Sequence, residues 1–557
     1  MNAILLILSL LGFFLFFRRV SGKLQPAFYP ALTVSMISSV LVLGGAAGQL
    51  FLTGKILFWA GIGLFLVYGL YFLRHDLLRK PAKNRKPFTW LICTFCLFCT
   101  MAMILLRNRF LYNYDDFSHW GLVAKILLEE SRLPVSRDGL LFPSYPPGAA
   151  AFICYCCSVI GSGEGAFQLA QAIMLISFLL SLQSAAKDRA AGYLLTTLAV
   201  PVFAFYTTPL DSLAVDNLLG ASFLSALLIY FQNREKMKYA LLPYAIILSC
   251  VVMMKNSGLL MAVFAVGLVL IHDRREGKKI SRAVLSLMIP FLVYLIWRVY
   301  LKMNFDTFGK HYMSLSVYYG TFKRRLGELG MILRVILPVM ANPMKNHAIW
   351  LIPSFAAVYL ISPARLRPQQ KTDMIICAIL FFLYEAGVIA MYFFSMGTGE
   401  FLAHNGGDFV RYNGTIICVL AGLFLCMTVR TIRSMNRENK RNGAAALAAL
   451  LAAGWCMSLN RAFLPSLEEA RKAFPDASAF SGLMISGGEK ETSEGTKYLI
   501  LVNEPEATDY HVYMAKYYLR GAERIEICGT EEKIPDGNGH EDTLLIDLRG
   551  REISVFR

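Results

Sequence analysis

The segment Asn113-Tyr114-Asp115-Asp116-Phe117-Ser118-His119-Trp120 places two adjacent carboxylates, a histidine and a tryptophan directly after a long apolar run. Carboxylates beside hydrocarbon are costly, and they persist where they have a task. Such a group can take a proton from a hydroxyl or amine nucleophile, or hold a divalent cation. Further polar residues stand at other boundaries between apolar runs. Asp211 and Asp216 lie in the stretch 207–217, Lys255 lies in Met254-Lys255-Asn256-Ser257-Gly258, and Arg411-Tyr412 precedes a late apolar run. Lysine and arginine can neutralise a phosphate leaving group. Moving a group from a lipid phosphate to an acceptor would use all of these parts. Each residue also has a plainer reading. Asp115 stands where a helix cap would stand, Asp216 opens an apolar run, and Lys255 can snorkel.

The elements that must hold these residues are membrane helices. The 557 residues are 56% hydrophobic and only 17% charged, with mean hydropathy +0.51. Apolar runs long enough to approach or reach a full span recur from the start to about Leu459, so the chain reads as an all-α polytopic membrane protein. A β-barrel would show short alternating strands instead. The net charge of +17 is no nucleic-acid signal. Residues 461–557 carry −6 and the remainder +23, concentrated in short loops. That is the positive-inside pattern. The cysteines lie mostly inside apolar runs. Cys93, Cys96 and Cys99, like Cys154, Cys156 and Cys157, read as small packing residues. Arg18, Arg19 and Lys23 follow the first apolar run rather than precede it, which argues against a secretory signal and for a first span.

Placing the basic loops 18–23, 74–86, 187–189, 234–238, 274–282, 365–371 and 430–441 inside gives about 14 spans with both termini outside. The spans fall near 3–17, 28–50, 54–73, 88–106, 166–184, 190–206, 216–231, 239–254, 257–272, 283–300, 348–362, 373–395, 410–429 and 443–459. The pieces 147–161 and 327–341 break this parity and read as juxtamembrane or re-entrant helices. Residues 1–87 then form an N-terminal helical unit, 88–460 a core with the outer loop 107–165, and 461–557 a small α/β domain outside the cytoplasm. In that domain 498–502, 524–528 and 543–547 read as strands and 508–519 as a helix capped by Thr508. Asp509, His511 and His540 read as scattered surface groups. Within the outer loop, Trp120, Val123, Ala124 and Leu127 form an apolar helical stripe, with Lys125 and Glu129 paired on the wet side. The turn 207–215 is expected to bring Asp211 and Asp216 to the outer surface.

These motifs, in this order, resemble the GT-C superfamily of polytopic glycosyltransferases, which includes protein O-mannosyltransferases and aminoarabinose transferases. The points of resemblance are the Asp115-Asp116 pair in a large outer loop, Tyr145-Pro146-Pro147-Gly148, Asp211 or Asp216, Lys255 with Gly258, and Arg411-Tyr412. They extend over about residues 88–430. The chain departs from that pattern in carrying extra spans before the loop and His119 where many members have Tyr. The resemblance implies a GT-C-like core and an inverting hexosyl transfer in the bacterial cell envelope. The donor would be a polyprenyl-phosphate sugar and the acceptor a glycan, lipid or protein. Asp115 or Asp116 would be the general base. His119, Asp211, Asp216, Lys255, Arg411 and Tyr412 would bind substrate. No cofactor is certain; a divalent metal (Mg or Mn) is possible for some members, with Asp115 and Asp116 the groups to hold it. The alternatives are a transporter or flippase for a lipid-linked sugar, and a polysaccharide polymerase or ligase. A transporter is expected to show internal repeats, and the sequence shows none.

Overall fold

The computed structural model describes the chain apart from residues 1, 22–23, 73, 75–85, 187–189, 205–208, 278–283, 285, 309–314, 343–345, 395–406, 436–438, 444–445, 448–465, 486–495, 531–542, 551 and 556–557. It is a mostly helical body with a small sheet near the C-terminus. Among the described residues, seven helices are long and apolar enough to cross a membrane: Asn2–Val20, Pro26–Ala46, Leu50–Tyr71, Pro87–Leu106, Glu164–Ala185, Ala364–Phe394 and Phe409–Ser434. The other apolar runs expected to span form helices that are shorter or less apolar, such as Ala190–Ala204, Asp216–Asn233, Leu241–Met254 and Ala348–Ile361. The run 443–459 lies almost entirely outside the described residues, as do the loop 396–406 and His540.

The apolar runs form helices because hydrocarbon leaves the backbone no partner but itself. Small residues then let the helices close up. Gly12 on Asn2–Val20 faces Gly61 on Leu50–Tyr71, where an added Cβ would stand 1.9 Å from the Gly61 carbonyl oxygen.

The helices sort their polar ends. Arg18 lies over the rings of Phe72 and Phe88. Phe88 begins the helix whose far end leads to Asp115. Arg234 and Arg430 both pair with Asp373, stitching three helices together. Arg430 is near the last turn of the helix Gly407–Ser434, and Arg411 is in its first. Arg18, Arg234 and Arg430 therefore stand at the end of the body opposite Asp115.

The helix Gly148–Ile160 is one of the shorter apolar helices. Its first residue abuts Met253, one residue before the Met254-Lys255 break, and the next helix starts at Glu164, which accepts from the Leu111 backbone N–H at 3.1 Å. Both ends thus lie toward the Asp115 side.

The C-terminal sheet has the order β2-β1-β3-β4, with β1 Lys497–Leu501, β2 Arg524–Cys528, β3 Thr543–Asp547 and β4 Glu552–Val555. β1 is parallel to β2 and β3, and β4 is antiparallel to β3. The helix Asp509–Tyr518 supplies the crossover that a parallel pair needs. β4 was not legible in the sequence.

His511 is not a surface group. It is buried, with Nε2 3.2 Å from Asp476 Oδ2 and Nδ1 3.1 Å from the Thr508 backbone nitrogen. Asp476 also accepts from the Asn503 backbone N–H at 3.1 Å, tying the incoming helix to the end of β1.

Candidate functional site

The chain between Asp116 and Trp120 forms a π-helical turn before the ordinary helix Gly121–Glu129. Wide turns of this kind cost stability and recur at functional sites. Here the turn separates the two carboxylates. Asp115 precedes it, keeps 27% of its side chain exposed, and makes no side-chain capping hydrogen bond. Asp116 is completely buried. Its Oδ1 accepts from the Leu213 backbone N–H at 3.0 Å and its Oδ2 from Asn113 Nδ2 at 3.3 Å. Burial pushes the Asp116 carboxyl well above the usual carboxylate range, against those two hydrogen bonds.

Arg411 completes the open side. Its Nη1 donates to Asp115 Oδ2 at 2.7 Å, its Nη2 donates to the Tyr412 hydroxyl at 3.1 Å, and its Nε lies 3.8 Å from Asp216 Oδ2. The guanidinium thus joins a half-exposed carboxylate to a buried one. Lys255 sits in extended backbone where one helix stops and another begins, and its Nζ donates to Asp216 Oδ1 at 2.8 Å. The same ammonium faces the rings of Tyr412 and Tyr145, 4.8 and 5.8 Å from their centroids. Lys255 is 9% exposed, so it is a buried partner rather than a snorkelling side chain. Asp216 opens its helix without a side-chain capping bond and spends its oxygens on these two cations.

Asp211 is placed differently from expectation. It is fully buried rather than at the surface. Tyr112 donates to its Oδ1 at 2.9 Å and Arg109 lies 3.6 Å from its Oδ2. Burial raises its carboxyl, and Tyr112 and Arg109 oppose the rise. Asp211 therefore builds the turn rather than facing the opening. That turn is stapled to the helix Glu164–Leu179. Gln168 Nε2 donates to the Asp211 carbonyl at 2.8 Å, and Gln171 Nε2 to those of Ser212 and Ala214 at 3.1 and 3.2 Å.

His119 is also buried, among Trp120, Phe142 and Tyr145, and Tyr145 links it to the cationic cluster. Trp120 and Tyr145 stack 5.4 Å apart. Asp115, Asp216, Lys255, Arg411 and Tyr412 are thus one connected group, with Asp116 and Asp211 beneath it and His119 to the side.

Three contributors were not singled out in the sequence. Tyr384 fixes the Tyr412 carbonyl at 2.6 Å. Tyr112 holds Asp211. Glu164 gathers Tyr518 Oη at 2.7 Å, Ser481 Oγ at 2.9 Å and the Leu111 N–H. Its only sequence signal was an acid at the first residue of an apolar run, which reads as a favourable helix start.

The C-terminal domain packs on this side too. Lys125 does not face water: Nζ donates to the Tyr517 carbonyl at 3.0 Å, while keeping Glu129 at 3.7 Å. Phe117 lies among Tyr510, Tyr517 and Tyr518, and Tyr510 donates to the Tyr112 carbonyl at 3.0 Å.

The Asp115 and Asp116 carboxylates are turned to different partners, and among the described residues no group of three or more His, Cys, Asp and Glu could hold a metal ion. No family model, curated protein or solved structure matches the chain.

Proposed function

We propose that the chain is a glycosyltransferase of the GT-C type, with about 14 spans and its site and C-terminal domain outside the cytoplasm of a bacterial cell. In this reading it moves a sugar from a polyprenyl phosphate to an acceptor at the outer membrane boundary. The observation that carries the reading is the chain of charges Asp115–Arg411–Asp216–Lys255 at one end of a helical membrane body. It sets one reachable carboxylate against two cations, as a transfer from a phosphate leaving group needs.

Asp115 is the base, because it is the member of the pair that substrate can reach. The acceptor O–H gives its proton to Asp115 while its oxygen attacks the anomeric carbon from the face opposite the phosphate. The carbon–oxygen bond to phosphate breaks with both electrons going to the phosphate oxygen, and the sugar inverts. Arg411 and Lys255 take up the charge that develops on the leaving phosphate. Asp216 keeps both cations in place, and Asp116 and Asp211 hold the backbone that aims Asp115. Tyr412 and Tyr145 line the cationic group.

The test is a mass spectrum of lipid-linked sugars and surface glycans from cells carrying the wild-type chain, Asp115→Asn, or none. The reading expects the Asp115→Asn spectrum to match that of cells lacking the protein, at undiminished expression. Spectra indistinguishable from wild type would end it.

A further inference from the structure

The helix Asp509–Tyr518 carries four tyrosines, and three of them are committed to docking. Tyr510 binds the Tyr112 carbonyl, and Tyr517 and Tyr518 enclose Phe117. Tyr513, three residues after Tyr510 and four before Tyr517, lies at the border of that docking face, beside the exposed Asp509 and Lys516. It is half-buried, and its partner is Tyr114, the residue immediately before Asp115. The two rings meet edge to face at 5.4 Å. Lys516 Nζ lies 5.4 Å from the Tyr513 ring centroid. Asp509 is exposed one helical turn before Tyr513.

Two half-exposed aromatic rings flanked by a carboxylate and an ammonium form a recognisable kind of surface. Aromatic faces accept the C–H face of a sugar ring, and the charged groups exchange hydrogen bonds with its hydroxyls. The rim is continuous in sequence with the reachable carboxylate, and half of it is supplied by the C-terminal domain.

We infer that Tyr114 and Tyr513, with Asp509 and Lys516, form the subsite for the acceptor, and that the acceptor is a saccharide. The inference rests on the glycosyl-transfer reading above and gives the C-terminal domain a direct part in choosing the substrate.

The experiment uses the full chain in lipid nanodiscs and a panel of defined neutral oligosaccharides, with binding read by saturation-transfer NMR and titration. The wild type should bind a subset of the panel. Tyr114→Ala and Tyr513→Ala should each weaken that binding about tenfold, the scale of one lost ring contact. Tyr513→Phe keeps the ring and should keep most of the binding. Equal melting temperatures would show that the variants fold. Wild-type affinity in both alanine variants, or no binding by the wild type, overturns the subsite. Tyrosine-dependent binding alongside an unchanged sugar-lipid spectrum in Asp115→Asn would instead sustain the subsite and remove the transfer reading.

Discussion

Arg411 Nη1 donates to Asp115 Oδ2 at 2.7 Å across 296 residues of sequence. That contact joins the loop before the π-helical turn to the first turn of a late membrane helix, and it fixes where the reachable carboxylate points. Arg411→Ala should lower transfer by roughly 10²-fold or more, the scale of one lost charge-stabilising donor. Arg411→Lys should recover only part of it, because an ammonium cannot span Asp115, Asp216 and the Tyr412 hydroxyl together. Turnover in purified membranes checks both.

The two neighbouring carboxylates should fail in different ways. Asp115→Asn should abolish transfer with little change in melting temperature, since its side chain is partly exposed. Asp116→Asn should act on stability, because Asp116 anchors the Leu213 backbone. The Asp116 effect depends on pH, and its sign follows from the raised carboxyl. In the unfolded chain the group ionises near its ordinary value of about 3.9. The folded chain holds the proton to higher pH. The stabilisation linked to it is complete below the ordinary value and is lost as pH rises through the folded value. Asparagine cannot ionise, so any deficit of Asp116→Asn should shrink as pH rises. A deficit that widens toward alkaline pH would contradict this.

Lys255 and Asp216 form a buried ion pair, and each is costly without the other. Lys255→Met should destabilise by about 3 kcal/mol, mostly from a buried carboxylate left with only the longer Arg411 contact. Adding Asp216→Asn should restore part of that loss, and a double-mutant cycle of unfolding would measure the coupling. Neither the single nor the double variant should regain transfer.

Glu164 ties the helical body to the C-terminal domain through Tyr518 and Ser481. Glu164→Gln should weaken the docking without unfolding either part. Limited proteolysis should then cut more readily between the helical body and the sheet, while the membrane helices keep their protection.

Sidedness can be read with a membrane-impermeant maleimide. Lys472→Cys, on an exposed side chain of the C-terminal domain, should react from outside intact cells. Glu276→Cys, exposed at the opposite end of the helices, should react only after lysis. Ser144 is unsuitable for such labelling because it is buried.

The helical body was legible because hydrocarbon imposes one rule on every span: long apolar runs with basic ends. Asp115, Asp216, Lys255 and Arg411 stood out for the same reason, as charges at apolar boundaries. What the pattern left out was depth. Nothing in the local sequence separates Asp115 from Asp116, because their difference comes from a π-helical turn and from Leu213, far along the chain. Asp211 looked exposed because turns usually are; two glutamines on a neighbouring helix bury it. Lys125 looked solvated because its partner is a backbone carbonyl in the last part of the chain. The shape of that domain was largely readable from short apolar strands and its side from the charge map, but the residues it packs against were not.

The seating of Phe117 among Tyr510, Tyr517 and Tyr518 also bears on the order of synthesis. A chain is made from its N-terminus, so the loop bearing Asp115 and Asp116 emerges long before the tyrosines that enclose it. Until the helix Asp509–Tyr518 has been made and has reached the same face, the corner around Asp116 lacks its cover. In the transfer reading, a chain that stops before this helix would insert its membrane helices and still lack the cover over Asp116 that the reaction needs.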